Sequence, residues 1–187
     1  LAKNWRPSIF SPLRQSVLCA KRLPKQSKGT SGGMGGGDGN VQQLVQALQT
    51  VVSRTLHPCD SAVVSVTQFH GGEAWNVIPE EVVLRGTIRS FKPEVQQSVE
   101  RAMERICSGV AATHGAQIAV RFDHRYPPTV NSVAETAFCR GVAGEVLGAE
   151  RVRDDELPSM GAEDFAYMLR EKPGCYVWLG NGPGTGG

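Results

Sequence analysis

No stretch of this 187-residue chain is apolar over enough consecutive positions to span a membrane. Aromatic residues are scarce, at 6%, which leaves few rings to stack bases and disfavours an RNA-binding module. Cys19, Cys59, Cys107, Cys139 and Cys175 are odd in number and contain no Cys-x-x-Cys pair. Neither a disulfide framework nor a structural zinc site is indicated, and a cytoplasmic setting fits such a pattern. Cys107, Cys139 and Cys175 lie in apolar patterns and read as small core residues. None of the four histidines, His57, His70, His114 and His124, has a second ligand at metal spacing, so each reads as a surface or capping residue. The glycine-rich run before residue 40 has no preceding strand and no following Gly-Lys-Ser/Thr, which removes a phosphate loop.

What is present is an ordinary soluble composition, 40% hydrophobic, enough for one to two domains. The net charge of +2 hides an asymmetry, because residues 1–40 carry seven Lys or Arg against the single acid Asp38. This segment is rich in Ser, Pro and Gly and has no apolar periodicity, so it is expected to be disordered. An organelle-targeting segment or a basic nucleic-acid tail would account for it. The favoured reading is a non-native segment, vector-derived, truncated or out of frame, joined to a genuine domain.

From Val41 onward the periodicity is clear. Val41, Leu44, Val45, Leu48, Val51 and Val52 mark one face of a helix. Valine-rich residues 62–69 read as a strand. Residues 82–91 alternate, with Val82, Leu84, Gly86 and Ile88 on one face and Val83, Arg85, Thr87 and Arg89 on the other. Pro93 opens a second helix whose stripe is Val95, Val99, Ala102, Ile106 and Val110, ended by Gly115. Ile118, Val120 and Phe122 mark another strand. Beyond a proline-stiffened connector at 126–131, the pattern predicts a helix over 133–147, a charged turn over 151–156, a short helix over 163–170 and a buried strand over 175–179. This last portion is too small to bury its apolar surface by itself.

The order helix, strand, strand, helix, strand predicts an α+β fold, a split βαβ (ferredoxin-like) sandwich that lacks its first strand. Asn76 lies before Pro79, which keeps the chain open there, and Arg89 points away from the packed face. By residue type alone these are a turn asparagine and an exposed strand arginine. Glu80 and Glu81 alternate in direction after Pro79 and read as solvated turn residues. Glu163 and Asp164 open a helix, where acids suit the dipole.

"NVIP" at 76–79, "RGTIRSF" at 85–91, "SMGAEDFAYML" at 159–169 and "PGCYVWLGNG" at 173–182 resemble the zinc-dependent amidohydrolases, the family of hippurate hydrolase, aminoacylase, carboxypeptidase G and succinyl-diaminopimelate desuccinylase. The resemblance covers about residues 41–182 and is strongest to the N-acyl-amino-acid branch. It implies a lid or dimerisation domain over 41–130 and a partial α/β catalytic segment over 131–187. It also implies substrate-binding roles for Asn76 and Arg89, a weaker one for His70, and a cleft-lining role for Glu163 and Asp164, weighed equally with capping. The family's metal is zinc, or manganese or cobalt, and its substrate an N-acyl amino acid. Its metal ligands and its lid histidine find no counterpart in these residues, so the chain is expected to hold no metal, to supply no catalytic residue and to be inactive alone. The expected partner is a second copy of the lid, with no nucleic acid and no membrane. A non-catalytic dimerisation or scaffold module is the alternative.

Overall fold

The computed structural model describes residues 9–10, 13–22, 37–76, 79, 81–153 and 157–179. Along the chain run β1 (Ile9–Phe10), β2 (Leu13–Arg22), α1 (Gly37–Thr50) with a π-helical extension (Val51–Thr55), β3 (Ala62–Gly71), β4 (Glu81–Ser90) and α2 (Pro93–His114). β5 (Ala116–His124), β6 (Thr129–Val130), α3 (Val133–Leu147), a 3-10 turn (Ala149–Arg151) and α4 (Phe165–Glu171) follow. Two compact units result, one of Leu13–Arg125, the other of Tyr126–Gly187 with Leu1–Pro12.

The Leu13–Arg125 unit is a four-stranded antiparallel sheet in the order β3-β4-β2-β5, with α1 and α2 on one face. This is the expected split βαβ sandwich with one correction. The strand position left open by the sequence reading is filled by Leu13–Arg22, which pairs with β4 from Leu13↔Arg89 to Lys21↔Glu81 and with β5 from Arg14↔His124 to Arg22↔Ala116. Its neighbours on both sides satisfy its backbone groups, so it needs little side-chain patterning of its own. The remaining expected disorder, at 1–8, 11–12 and 23–36, lies outside the described residues.

Alternation along β4 buries Val82, Leu84 and Ile88 against Val41, Leu44, Leu48 and Val51 from the first helix and Val99, Ala102, Met103 and Cys107 from α2. Fully burying side chains of this size contributes about 1.5–3 kcal/mol each. Burial pushes the Cys107 thiol up to about 11, with Glu104 adding to the rise, so this cysteine is a packing residue. Ile118, Val120 and Phe122 complete the same layer from β5. α2 begins at Pro93 and stops at Gly115, whose φ of 58° suits glycine and whose N–H bonds to the Ala111 carbonyl. Lys92, just before α2, reaches Asp60 at 2.8 Å.

At the outer edge, β3 bulges between Val66 and Gln68. Thr67 donates its hydroxyl to the Arg85 carbonyl at 3.4 Å, and Arg85 Nη1 donates to Gln68 Oε1 at 3.1 Å. The bulge lets the Ser65 carbonyl lie over Gly86, where any β-carbon would sit 2.2 Å from that oxygen.

In the Tyr126–Gly187 unit, α3 and α4 form as the pattern requires, but the buried strand expected at 175–179 does not. Residues 173–179 have no regular secondary structure, and Val177, Trp178 and Leu179 are exposed. Their backbone is held instead at the entry to α3. Ser132 N–H donates to the Gly174 carbonyl at 2.9 Å, and Gly174 N–H returns a bond to Ser132 Oγ at 3.1 Å. Asn131, only 4% exposed, grips Tyr176 twice: Nδ2 donates to its carbonyl and Oδ1 accepts from its N–H, both at 2.8 Å. Val133, Phe138 and Val146 on α3 are likewise exposed, so the expectation of a poorly covered apolar surface holds.

Candidate functional site

The β3–β4 hairpin carries the first group of candidate residues. His70, the last residue but one of β3, lies opposite Val83 on the face away from the helices and is exposed. Asn76 is exposed in the turn at 73–76. Arg89 lies near the far end of β4, opposite Val63 and Leu13, and is half-buried. Val77, Ile78 and Glu80 lie outside the described residues, and Glu81 is the exposed first residue of β4. At about 3.3 Å per residue, Glu81 and Arg89 are separated by roughly 26 Å of strand. The fold therefore brings His70 and Asn76 to one end of the hairpin and sends Arg89 to the other.

Glu163 and Asp164 form the second group. Their backbone carbonyls accept the Ala166 and Tyr167 N–H groups, opening α4, but Asp164 makes no side-chain cap bond. Side-chain capping is thus not what occupies Asp164. The Glu163 carboxylate acts electrostatically on the Tyr176 phenol. Partial burial first, then the negative charge of Glu163 and more weakly of Asp164, pushes that phenol up from its ordinary value. Tyr176 therefore stays a neutral donor. Its ring packs on Phe165 at 5.6 Å between centroids and edge-on to Trp178 at 5.9 Å. Sequence reasoning had no route to Tyr176, because its partner lies 13 residues earlier across α4.

Replacing Glu163 by glutamine is expected to lower the titration midpoint of one of the three tyrosines, Tyr176, because the nearby anion is gone. Ultraviolet titration reads this directly; a midpoint unchanged by the substitution would contradict the Tyr176–Glu163 pair.

The histidines are dispersed. His57 Nδ1 accepts the Cys59 N–H at 3.2 Å, His114 Nε2 bonds to Gln43 Oε1, and His124 Nδ1 is 3.6 Å from Glu100. Among the described residues no three His, Cys, Asp or Glu side chains converge as ligands for an ion. Among the described residues the donor set does not fit a metal centre. Among the described residues no helix is long and apolar enough to cross a membrane.

Residues 30–187 match the model of peptidase family M20/M25/M40. The chain belongs to this family. Relatives within M20 include N-acetylcysteine deacetylase of Bacillus subtilis, 37% identical over 74% of this chain and 36% of the relative, and hippurate hydrolase of Campylobacter jejuni, 32% identical over 74% and 36%. A solved M20 structure, the YXEP protein of Bacillus subtilis, described as a dinuclear metal binding peptidase, superposes with a TM-score of 0.68 at 26% identity. That superposition covers 92% of this chain and 42% of the other. The M20 relatives are amidohydrolases and deacylases, and the chain spans about a third of their length. The resemblance drawn from "NVIP", "RGTIRSF" and "GAEDF" is thus a true family relationship.

Proposed function

We propose that this chain supplies the lid and part of the C-terminal catalytic segment of an M20 amidohydrolase that cleaves N-acyl amino acids. Residues 41–130, with β2 added, act as the lid, and residues 131–187 as the partial catalytic segment. Arg89 binds the substrate carboxylate, since a planar guanidinium matches a carboxylate with two parallel bonds. Asn76 and His70 offer a carboxamide and an imidazole to the acyl carbonyl, and Glu163 and Asp164 line the cleft. The metal, zinc or manganese or cobalt, is held by residues other than these, and the chain by itself does not hydrolyse substrate.

The observation that carries this reading is the placement of Asn76, in the turn at 73–76, and Arg89, near the end of β4, at opposite ends of the β3–β4 hairpin. One substrate that meets both types of residue takes them from two copies, which makes a homodimer through the lid the natural unit. β5, at the edge of the sheet, is the strand best placed to join such copies. A non-catalytic dimerisation module is the second reading, favoured by the absence of a converging donor set among the described residues.

The purified chain, supplied with zinc and either N-acetylcysteine or hippurate, is expected to form dimers by light scattering and to release no free amino acid. An N-acyl amino acid titrated into it should bind at least about tenfold more weakly to Arg89→Ala, the loss of a charge-assisted bidentate contact. Zinc-dependent turnover by the chain alone, or equal binding by the variant, would overturn this assignment.

A further inference from the structure

Trp75 sits beside Asn76 in the turn at 73–76, at the end of the β3–β4 hairpin that also carries His70. It is 98% exposed, the most exposed large apolar side chain among the described residues. The backbone explains why it projects. β3 and β4 stay paired as far as Gly71↔Val82, where a β-carbon on Gly71 would lie 2.9 Å from Val82 Cγ2. One residue on, Gly72 has a φ of 71°, which glycine adopts at no steric cost, and a β-carbon there would lie 3.5 Å from Pro79. These glycines draw the base of the connection tight, and residues 73–76 are all exposed beyond it. An aromatic side chain buries about 150–250 Å² when it is covered, so leaving this ring bare forgoes a large apolar contribution within the chain.

We propose that Trp75 is a specificity-determining residue whose indole receives the acyl group and selects N-aroyl amino acids, which carry a flat ring next to the carbonyl, over N-acetyl ones. This inference rests on the proposed function, in which Asn76 meets the acyl carbonyl and Arg89 of a second copy meets the carboxylate. In an N-acyl amino acid the carbonyl carbon bears the amide nitrogen, and through it the carboxylate, on one side and the acyl substituent on the other. With the carboxylate held at Arg89 and the carbonyl oxygen at Asn76, the substituent points away from Arg89 and toward the neighbours of Asn76. Phe69, also exposed at this end, pairs with Leu84 and so lies on the helix side of the sheet, on the opposite face from His70. Trp75 is the ring adjacent to Asn76. Stacking or edge contact with an indole favours an aromatic group by about three- to tenfold in affinity, whereas an acetyl methyl has no π face to offer.

N-benzoylglycine and N-acetylglycine share one carboxylate and differ in the acyl group alone, and each is titrated by calorimetry into the full chain and its variants. The wild type is expected to bind N-benzoylglycine more tightly. Trp75→Ala should weaken N-benzoylglycine by about three- to tenfold and leave N-acetylglycine within about twofold, while Trp75→Phe, which keeps a ring, should recover most of the preference. Arg89→Ala should weaken both ligands alike. The indole N–H resonances of the three tryptophans give a second readout. The resonance missing from Trp75→Phe should shift when N-benzoylglycine is added to the wild type and stay in place with N-acetylglycine, a result that stands even where Trp75→Ala folds poorly. Weaker binding of both ligands by Arg89→Ala together with an unchanged preference in Trp75→Ala would overturn the role of Trp75 and spare the proposed function. No binding of either ligand by the wild type, or binding untouched by Arg89→Ala, would overturn the proposed function and this assignment with it.

Discussion

Gly86→Ala is expected to destabilise the Leu13–Arg125 unit by at least about 3 kcal/mol, at the upper end of what overpacking costs. The new β-carbon would lie 2.2 Å from the Ser65 carbonyl oxygen and 3.2 Å from its carbon. Both are backbone atoms, so no side-chain rotation relieves the clash. Either β3 moves off β4, losing the pairs around Val66↔Gly86, or β4 shifts and carries Leu84 and Ile88 out of the helix layer. Hydrogen exchange localises the effect. Amides of β3 and β4 should lose protection while those of Ser132, Gly174 and Tyr176 keep theirs. Near wild-type protection in β3 would show that the bulge can yield, contrary to this account.

Asn131→Ala is expected to cost about 2–4 kcal/mol in the Tyr126–Gly187 unit. It deletes two 2.8 Å bonds at a site only 4% exposed, leaving the Tyr176 carbonyl only the weak bond from the Cys175 thiol, each lost partner being worth about 1–3 kcal/mol. The substitution should also release Tyr176 from its place against Glu163, so its phenol titrates closer to an ordinary tyrosine. Thermal melting together with ultraviolet titration checks both effects. Asn131→Asp separates them, because a carboxylate still accepts the Tyr176 N–H but cannot donate to the carbonyl. A melting temperature for Asn131→Ala within experimental error of wild type would refute the assigned role.

Much of this fold is legible in the residues. The alternation through Val82, Leu84, Gly86 and Ile88 describes a strand with one packed face, and Pro93 and Gly115 mark the ends of α2 correctly. β2 was not legible. Val17 to Ala20 form a short apolar run flanked by Arg14, Lys21 and Arg22 in a segment of turn-forming residues. Its identity as a strand comes from β4 and β5 on either side, which no local window contains. The error at 175–179 has the opposite origin. The sequence there has the composition of a strand, but Asn131 and Ser132 take up its backbone groups in place of a neighbouring strand. At the candidate site, Asn76, Arg89, His70, Glu163 and Asp164 were visible as residue types in family motifs. Their distribution was not, because the length of β4 separates Asn76 from Arg89, and the Tyr176 contact to Glu163 exists only once α4 has turned the chain back.

The central position of β2 also governs how the molecule is assembled. The first described strand of the Leu13–Arg125 unit must slot between β4 and β5, which are made some 60 and 100 residues later. The β3–β4 hairpin and the helix-linked pair α2–β5 can collapse early through nearby residues, whereas β2 must close one long loop to gain its first ladder bond and a second to complete its insertion. Acquisition of the native sheet should thus wait on this insertion, with the facing edges of β4 and β5 unprotected until it occurs.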